Sequence, residues 1–241
     1  MFMKSREKQL IAELKHFSAP EKIEKAKRYF KTGKGDYAEF DIFWGITTPE
    51  IKAVIQDFTF SLSLEEIENI LSSQIHEVRM AALSMLVNRY QKRADERKTI
   101  ANIYLNNTKH INNWDLVDIS AAKILGAHSF PGDSATLLRL SKSSDLWEQR
   151  IAIVSTHHFI QNNSFEITFR ICKSFLNNSH DLIHKACGWM LREIGKRSQK
   201  ELINWLDIHY KDMPRTMLRY SIERFDENTR LSYLNGQIKN I

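Results

Sequence analysis

Five short strings with a shared pattern recur along the chain. Each begins with a charged residue and continues with apolar or small residues, inside an amphipathic helical pattern. They start at Arg79, Asp118, Arg150, Lys185 and Arg219, separated by 39, 32, 35 and 34 residues. Repeats of this period are typical of stacked helical hairpins, and those near the upper end resemble HEAT or armadillo units. The pattern predicts an all-α protein, an α-α superhelix of HEAT-like repeats.

The composition agrees with a helical chain. Only 8 of the 241 residues are Gly and 4 are Pro, so few residues interrupt a helix. Hydrophobic residues make up 42% and charged residues 27%, which is a globular balance. Because no Pro/Gly/Ser-rich linker divides the chain, we expect a single domain over residues 1–241.

The charge balance suggests a partner. The formal net charge is +6 and the pI is about 9.2, which favours a polyanionic partner. Composition alone equally allows a basic surface that serves only solubility. Equivalent positions of a solenoid line one concave face, and four of the five strings begin with a cation. These strings predict a concave basic groove that follows a phosphate backbone. Asp118 would repel that backbone, so its presence in the groove requires a separate explanation.

The segment from Asn112 to Asp118 carries the most distinctive side chains. Asn113 can cap a helix, and Asp115 then lies in the first turn, where the helix dipole favours an anion. Trp114 and Asp118 are four residues apart and share one helix face. An indole and a carboxylate side by side are suited to holding positive charge. The alternative is a core tryptophan beside a solvated aspartate.

The second half of the chain adds basic and aromatic residues. Asp145 has the spacing of a helix cap, and His180-Asp181 opens another helix. One face of that helix carries a basic stripe, formed by Lys185, Trp189, Arg192 and Lys196. This stripe is predicted to contact nucleic acid, and the alternative is a plain solvated face. The opposite side is predicted to pack in the core and holds Ile183, Cys187, Met190, Leu191 and Ile194. Gly188 costs roughly 1 kcal/mol of helix propensity, which a close helix contact would explain.

Helix starts are also predicted in the first half. Residues 5–17 have helical spacing with Leu10, Leu14 and Phe17 on one side. Ser18 to Glu21 has the spacing of a capping box and starts a helix that reaches about Phe30. Thr48-Pro49-Glu50 reads as a helix start with Thr48 as the cap. Lys52 lies one turn further, so this start is either a phosphate site or an ordinary helix end.

Several function classes have little support. Two cysteines, Cys172 and Cys187, provide neither a disulfide framework nor a four-ligand zinc site, and Cys187 is expected to be a buried thiol. The nine histidines show no metal-ligand spacing, and no nucleophile elbow appears. The N-terminus has no apolar signal region, and no run of about 18 apolar residues exists. We therefore expect no membrane span, no metal and a cytoplasmic protein.

Four segments together resemble the bacterial DNA alkylation repair proteins of the AlkD type, which are built from HEAT-like repeats. They are Phe43-Trp44-Gly45-Ile46-Thr47-Thr48-Pro49-Glu50, Asn113-Trp114-Asp115-Leu116-Val117-Asp118, Leu146-Trp147-Glu148-Gln149-Arg150 and Gly188-Trp189-Met190-Leu191-Arg192-Glu193. The resemblance implies a monofunctional DNA glycosylase of base excision repair. Such enzymes release cationic N3- and N7-alkylated purines from duplex DNA without a cofactor and without base flipping.

The resemblance also implies roles for particular residues. Asp118 resembles the catalytic carboxylate, and Trp114 and Trp189 resemble the aromatics that flank the deoxyribose of the lesion. Arg150 resembles the arginine that meets the DNA backbone at that site. Residues assigned to DNA binding, by the resemblance or by the basic stripe, are Thr48, Lys52, Arg150, Lys185, Arg192 and Lys196.

Two departures from the family pattern affect substrate range and affinity. Asn113 stands where the best-known relatives carry a second tryptophan, and Lys52 replaces an arginine, which loses bidentate phosphate contact. The expected partner is double-stranded DNA containing alkylated bases, bound by a monomer associated with the nucleoid. Two alternatives stay open: a non-catalytic HEAT-repeat binder of damaged or branched DNA, and a protein-interaction scaffold.

Overall fold

The computed structural model describes residues 5–238 of the chain. Apart from an isolated parallel bridge between Ile42 and Ile75, these residues form helices, turns and loops. The predicted all-α class is therefore confirmed. The chain divides into two compact units, Met1–Ile124 and Leu125–Ile241, and the single domain stays a prediction. The predicted absence of a signal region falls partly on residues 1–4, which lie outside the described residues.

Unit 1 contains seven α-helices among the described residues. They are α1 (Ser5–His16), α2 (Pro20–Phe30), α3 (Thr48–Val54), α4 (Leu64–Leu71), α5 (His76–Lys92), α6 (Arg97–Asn106) and α7 (Trp114–Ser120). Short 3₁₀ turns, Ala94–Glu96 and Thr108–His110, precede α6 and α7. The long segment between α2 and α3 is a loop.

Unit 2 begins within a π-helical turn, Ala122–Gly126, which starts two residues after the end of α7. Its described α-helices are α8 (Ala127–Ser129), α9 (Ala135–Ser141), α10 (Leu146–Gln161), α11 (Glu166–Ser174), α12 (Asp181–Arg197), α13 (Gln199–His209), α14 (Arg215–Ser221) and α15 (Glu227–Leu234). Asp145 caps α10 by accepting the backbone N–H groups of Trp147 and Glu148, as predicted.

The repeated strings fall in helices that pack side by side within each unit. In unit 1, α5 carries Arg79 and contacts α3 and α7, the helix of Asp118. In unit 2, α12 carries Lys185 and contacts α10 and α14, the helices of Arg150 and Arg219. The preceding helices α4, α9 and α11 pack on α5, α10 and α12. This is the hairpin pattern that the repeat predicted, and its assignment to the HEAT class stays a prediction.

The predicted row of surface cations holds only in part. Arg79 and Arg150 are 4% and 5% exposed, so both are buried. Arg79 donates to the backbone carbonyls of Ser73 and Gln74 at 3.0 and 3.1 Å, and Arg150 donates to that of Leu182 at 2.7 Å. These two guanidinium groups therefore satisfy loop and helix-start carbonyls, because five fixed donors suit clustered acceptors. Lys185 is half-buried and Arg219 is exposed.

Three local predictions in unit 1 were wrong. The cap of α2 is Ala19, and the Ser18 hydroxyl instead donates to the backbone carbonyl of Trp44. The cap of α3 is Thr47, whose N–H and hydroxyl both bond the Glu50 carboxylate at 2.7 Å, so Thr48 is the first helical residue. Phe17 is exposed, because α1 ends at His16 before the predicted apolar side is complete.

The close helix contact inferred from Gly188 is present. A β-carbon at Gly188 would lie 2.4 Å from Cβ of Tyr220 and 2.6 Å from the backbone carbonyl oxygen of Met217. The apolar face of α12, from Ile183 to Ile194, is fully buried as predicted.

Replacing Gly188 with alanine should therefore destabilise the protein. The added methyl group meets backbone, so α12 and α14 must move apart at an expected cost of about 1–3 kcal/mol, despite the better helix propensity of alanine. Chemical denaturation measures the change. Gly132→Ala is the control, because a β-carbon there meets nothing within 4 Å. Equal stability of the two variants would contradict this packing account.

Candidate functional site

The start of α7 is fixed by Asn113, as the sequence predicted. The side-chain oxygen of Asn113 accepts the Trp114 backbone N–H at 2.8 Å. Its side-chain amide donates to the Asp41 carboxylate at 2.9 Å. Asn113 is fully buried, and both the oxygen and the nitrogen of its side-chain amide form hydrogen bonds, as buried polar groups generally do. The residue that departs from the family pattern thus ties α7 to the loop after α2.

Trp114 is half-buried against an aromatic cluster from α2 and the following loop. Its ring stacks on Phe30 at a centroid distance of 5.4 Å and meets Tyr29 edge-on at 5.5 Å. Phe30 stacks in turn on Phe43 at 5.1 Å. Such contacts favour one orientation of the indole ring.

Asp118 lies one turn after Trp114 on the same helix and is also half-buried. The negative charge of Asp118 acts on the buried Tyr104. Burial raises the pKa of Tyr104 most, and the charge of Asp118 raises it further, whereas the hydrogen bond with Ser120 lowers it. Trp114 and Asp118 therefore lie on one helix, about one turn apart, as predicted.

A buried polar network underlies this helix start. Both ring nitrogens of His76 contact carboxylates: Nδ1 lies 3.2 Å from Asp41, and Nε2 lies 2.8 Å from Asp115. Arg79 also donates to Asp41 at 2.6 Å. The sequence predicted Asp115 only as an anion at the helix dipole. Its partner is 39 residues away, so no local spacing could have indicated it.

The charges in this network support one another. Burial opposes a charged His76, but the hydrogen bonds and negative charges of Asp115 and Asp41 outweigh it and raise the pKa of His76 to about 9. Burial likewise opposes a charged Asp41, but His76, Arg79 and Asn113 together lower the pKa of Asp41. Both groups are therefore ionised at neutral pH.

A second buried acid shapes the loop that leads to α3. The Glu77 carboxylate accepts backbone N–H groups from Trp44, Gly45 and Ile46 at 2.7–3.3 Å. Gly45 has a φ of +78°, and a β-carbon there would lie 2.4 Å from the backbone carbonyl oxygen of Ala19. Only glycine fits this position. These contacts therefore hold the segment from Phe43 to Glu50 in place, and they determine where α3 begins.

A groove of about 470 Å³ runs across α3, α5 and the end of α7. Two predicted DNA-binding residues, Thr48 and Lys52, line it together. Its remaining polar lining includes Gln56, Ser84, Asn88, Lys92 and Lys123, and its floor is apolar, with Ile55, Met80, Val87 and Ile119. None of these described lining residues is an acid. The groove therefore offers three lysines and several neutral hydrogen-bonding groups to an anion.

The predicted stripe on α12 differs from this groove because acids accompany its cations. Lys185 pairs with Asp181 at 2.7 Å, and Lys196 pairs with Glu193 at 2.6 Å. Arg192 pairs with Glu223. The predicted basic stripe is thus largely neutralised within unit 2. DNA contact by Lys185, Arg192 and Lys196 stays a prediction.

Trp189 is half-buried on α12 between these ion pairs. Its indole N–H donates to Glu193 at 3.1 Å, and its ring lies 6.0 Å from that of His157. Glu193 had no predicted role, although its position four residues after Trp189 indicates such a contact. The roles of Trp189 and Arg150 on DNA stay predictions.

Other classes of site are not found in residues 5–238. No group of three or more His, Cys, Asp or Glu side chains there could hold a metal ion. Cys172 and Cys187 are buried free thiols, and burial raises the pKa of Cys172. Over the same range, no helix combines the length and apolar character that crossing a membrane requires.

Comparison with known proteins decides the family. The sequence model of the DNA alkylation repair enzyme family matches residues 10–225. The chain belongs to this family. A solved structure titled "Predicted DNA alkylation repair enzyme from Enterococcus faecalis" has the same fold, with a TM-score of 0.68 and 17% sequence identity. The similarity covers 87% of this chain and 97% of that one. No curated protein matches the chain.

Membership in the DNA alkylation repair enzyme family places the chain in DNA repair, as an enzyme acting on DNA. The matched range includes both α7 and α12, the helices that carry the predicted catalytic aromatics.

The His76 network predicts a pH dependence of stability. A group whose pKa is raised on folding contributes fully below its unfolded value, near 6.5, and its contribution disappears as the pH rises through about 9. Chemical denaturation of the wild type should therefore show a loss of up to about 3 kcal/mol between pH 6.5 and 9.5 that His76→Gln does not show. Parallel pH profiles for the two proteins would contradict a raised pKa of His76.

Proposed function

We propose that this chain is a monofunctional DNA glycosylase. It hydrolyses the N-glycosidic bond of N3- and N7-alkylated purines in duplex DNA, without a cofactor. The observation that carries this proposal is the placement of Asp118 one turn from Trp114 on a helix whose start is held by a buried polar network. A carboxylate and an indole in this arrangement are suited to a cationic reaction centre.

The chemistry requires little from the protein. Alkylation at N7 or N3 gives the purine a positive charge, so the base is a good leaving group without protonation. The electron pair of the C1′–N9 bond moves to the base and neutralises it, while positive charge develops on the sugar. Water then forms the new bond to C1′ and releases a proton. One carboxylate is sufficient because no general acid is needed, unlike the pair used on ordinary glycosides.

Asp118 has two tasks in this scheme. Its negative charge stabilises the oxocarbenium-like sugar, and its oxygen atoms orient the attacking water and accept its proton. Fixed charge directed at developing charge is usually the largest catalytic contribution. The Trp114 ring adds a negative π surface toward the sugar, which can contribute about 0.5–2 kcal/mol.

Trp189 and Arg150 are assigned the roles that the resemblance gives them, as the second aromatic and a backbone contact. The indole N–H of Trp189 is already bound to Glu193, so this ring offers its π face and not a donor to DNA. The lesion is proposed to stay stacked in the duplex, so no deep base pocket is required.

The groove across α3, α5 and α7 is the proposed path of a DNA strand. Its three lysines and its amide and hydroxyl groups match a phosphate backbone, whose contacts are mostly sequence-independent. Lys92 and Lys123 join Thr48 and Lys52 in this role, although the sequence did not single them out.

Asp118→Asn tests the chemistry directly. The variant should release 7-methylguanine from a duplex oligonucleotide at least about 10²-fold more slowly than the wild type in single-turnover assays, because the charge is lost. It should still bind the duplex. Chromatography of the freed base measures the rate, and Asp95→Asn, at an exposed acid outside the site, is the matched control. Near-normal release by Asp118→Asn would remove this residue from the chemistry.

Base release and duplex binding, measured together for the wild type, separate the alternatives. A wild-type protein that binds an abasic-analogue duplex but frees no base would be a non-catalytic DNA binder. A protein that does not bind the duplex at all would instead support a scaffold role.

Lys92→Ala and Lys123→Ala test the DNA path. Each should lower the slope of log affinity against log salt by about 0.9 if the lysine contacts one phosphate of B-form DNA. Lys98→Ala is the control, since this lysine is exposed on α6 and does not line the groove. Fluorescence anisotropy at several salt concentrations gives the slopes. Slopes equal to that of Lys98→Ala would place the DNA elsewhere.

A further inference from the structure

His76 connects α5 to the first turn of α7. Its Nε2 lies 2.8 Å from Asp115, and its Nδ1 lies 3.2 Å from Asp41. Ionised carboxylates accept hydrogen bonds and cannot donate them, so both ring nitrogens of His76 donate. The imidazole is therefore a two-ended clamp between the loop after α2 and the helix of Trp114 and Asp118.

Asp115 is the point where this clamp holds α7. One of its carboxylate oxygens accepts the backbone N–H of Leu116 at 2.8 Å, and the other accepts from His76. Asp115 directly follows Trp114 and precedes Asp118 by three residues. Fixing its carboxylate therefore fixes the rotation of the first turn, and with it the directions of both side chains.

The aromatic cluster gives His76 a second connection to Trp114. The His76 ring packs on Phe30 at 5.0 Å and on Phe43 at 4.7 Å. Phe30 stacks on Trp114 at 5.4 Å. The imidazole thus supports the indole through packing as well as through Asp115.

We propose that His76 is a positioning residue for the reaction, which by bridging Asp41 and Asp115 sets the orientation in which α7 presents Trp114 and Asp118. This proposal rests on the proposed function of those two residues. A misplacement of about 1 Å at a reacting group can cost about 10²-fold in rate, so a clamp at the helix start has a large effect on catalysis.

A purely structural role for His76 is the competing explanation, and two substitutions separate the two. The side-chain nitrogen of asparagine can replace Nδ1 and keep the bond to Asp41, whereas that of glutamine can replace Nε2 and keep the bond to Asp115. Both variants lose the second bond and the positive charge. Only His76→Gln keeps the contact that positions α7.

Single-turnover release of 7-methylguanine should distinguish these variants. We expect His76→Asn to be slowed by about tenfold or more and His76→Gln by about threefold or less, with the affinity for an abasic-analogue duplex unchanged within about twofold. Each rate is measured at a temperature where circular dichroism shows the variant folded. Equal rates for the two variants, or a rate loss matched by a loss of affinity, would overturn the proposal.

Asp115→Ser provides a second test that leaves the histidine in place. The serine hydroxyl can still accept the Leu116 N–H, so the helix start is kept, but the shorter side chain removes the hydrogen bond to His76. The same slow release with unchanged affinity is expected, also where a His76 variant does not fold. An unchanged rate would overturn the proposal.

The controls keep this proposal apart from the proposed function. Release by the wild type together with loss in Asp118→Asn supports the proposed function, and the variants at positions 76 and 115 then test the clamp alone. A wild-type protein that releases no base refutes the proposed function, and the positioning role of His76 is refuted with it.

Discussion

Asp41 is a buried carboxylate on which the arrangement of unit 1 depends. An ionised group away from water is costly unless other charges and donors surround it. His76, Arg79 and Asn113 supply these contacts, and they come from α5 and from the residue that caps α7. Because the carboxylate must keep its partners together, the loop after α2, the start of α5 and the start of α7 have fixed relative positions. Trp114 and Asp118 are oriented by this constraint.

The cations of the chain serve two different purposes. Arg79 and Arg150 are buried and bind backbone carbonyls, so they stabilise helix starts and loops. Lys52, Lys92 and Lys123 line a groove whose described lining contains no acid. On α12, by contrast, Lys185, Arg192 and Lys196 are paired with Asp181, Glu223 and Glu193. A net charge of +6 therefore does not describe how positive charge is presented. In a DNA repair enzyme, the lysines of this groove are the stronger candidates for phosphate contact.

Much of this architecture could be predicted from the sequence because it depends on neighbours within one helical turn. The caps at Asn113 and Asp145, the buried face of α12 and the close contact at Gly188 follow from local spacing. The contacts of His76 with Asp41 and Asp115 span 35 and 39 residues, and no periodicity links such positions. The cap of α3 was displaced by one residue because Thr47 and Thr48 are equally suited to it. Burial of Arg79 also depends on a distant partner, the Asp41 carboxylate, which lies 38 residues away in the sequence.

The central claim is that the Asp118 carboxylate stabilises positive charge on the sugar. Its most direct test compares two duplexes with the same sequence, one carrying a neutral tetrahydrofuran abasic analogue and one a cationic pyrrolidine analogue. An active site complementary to the charged transition state should bind the cationic duplex at least about 10²-fold more tightly. Asp118→Asn should abolish this preference while leaving the affinity for the neutral duplex nearly unchanged. Equal affinities of the wild type for both duplexes would contradict the claim.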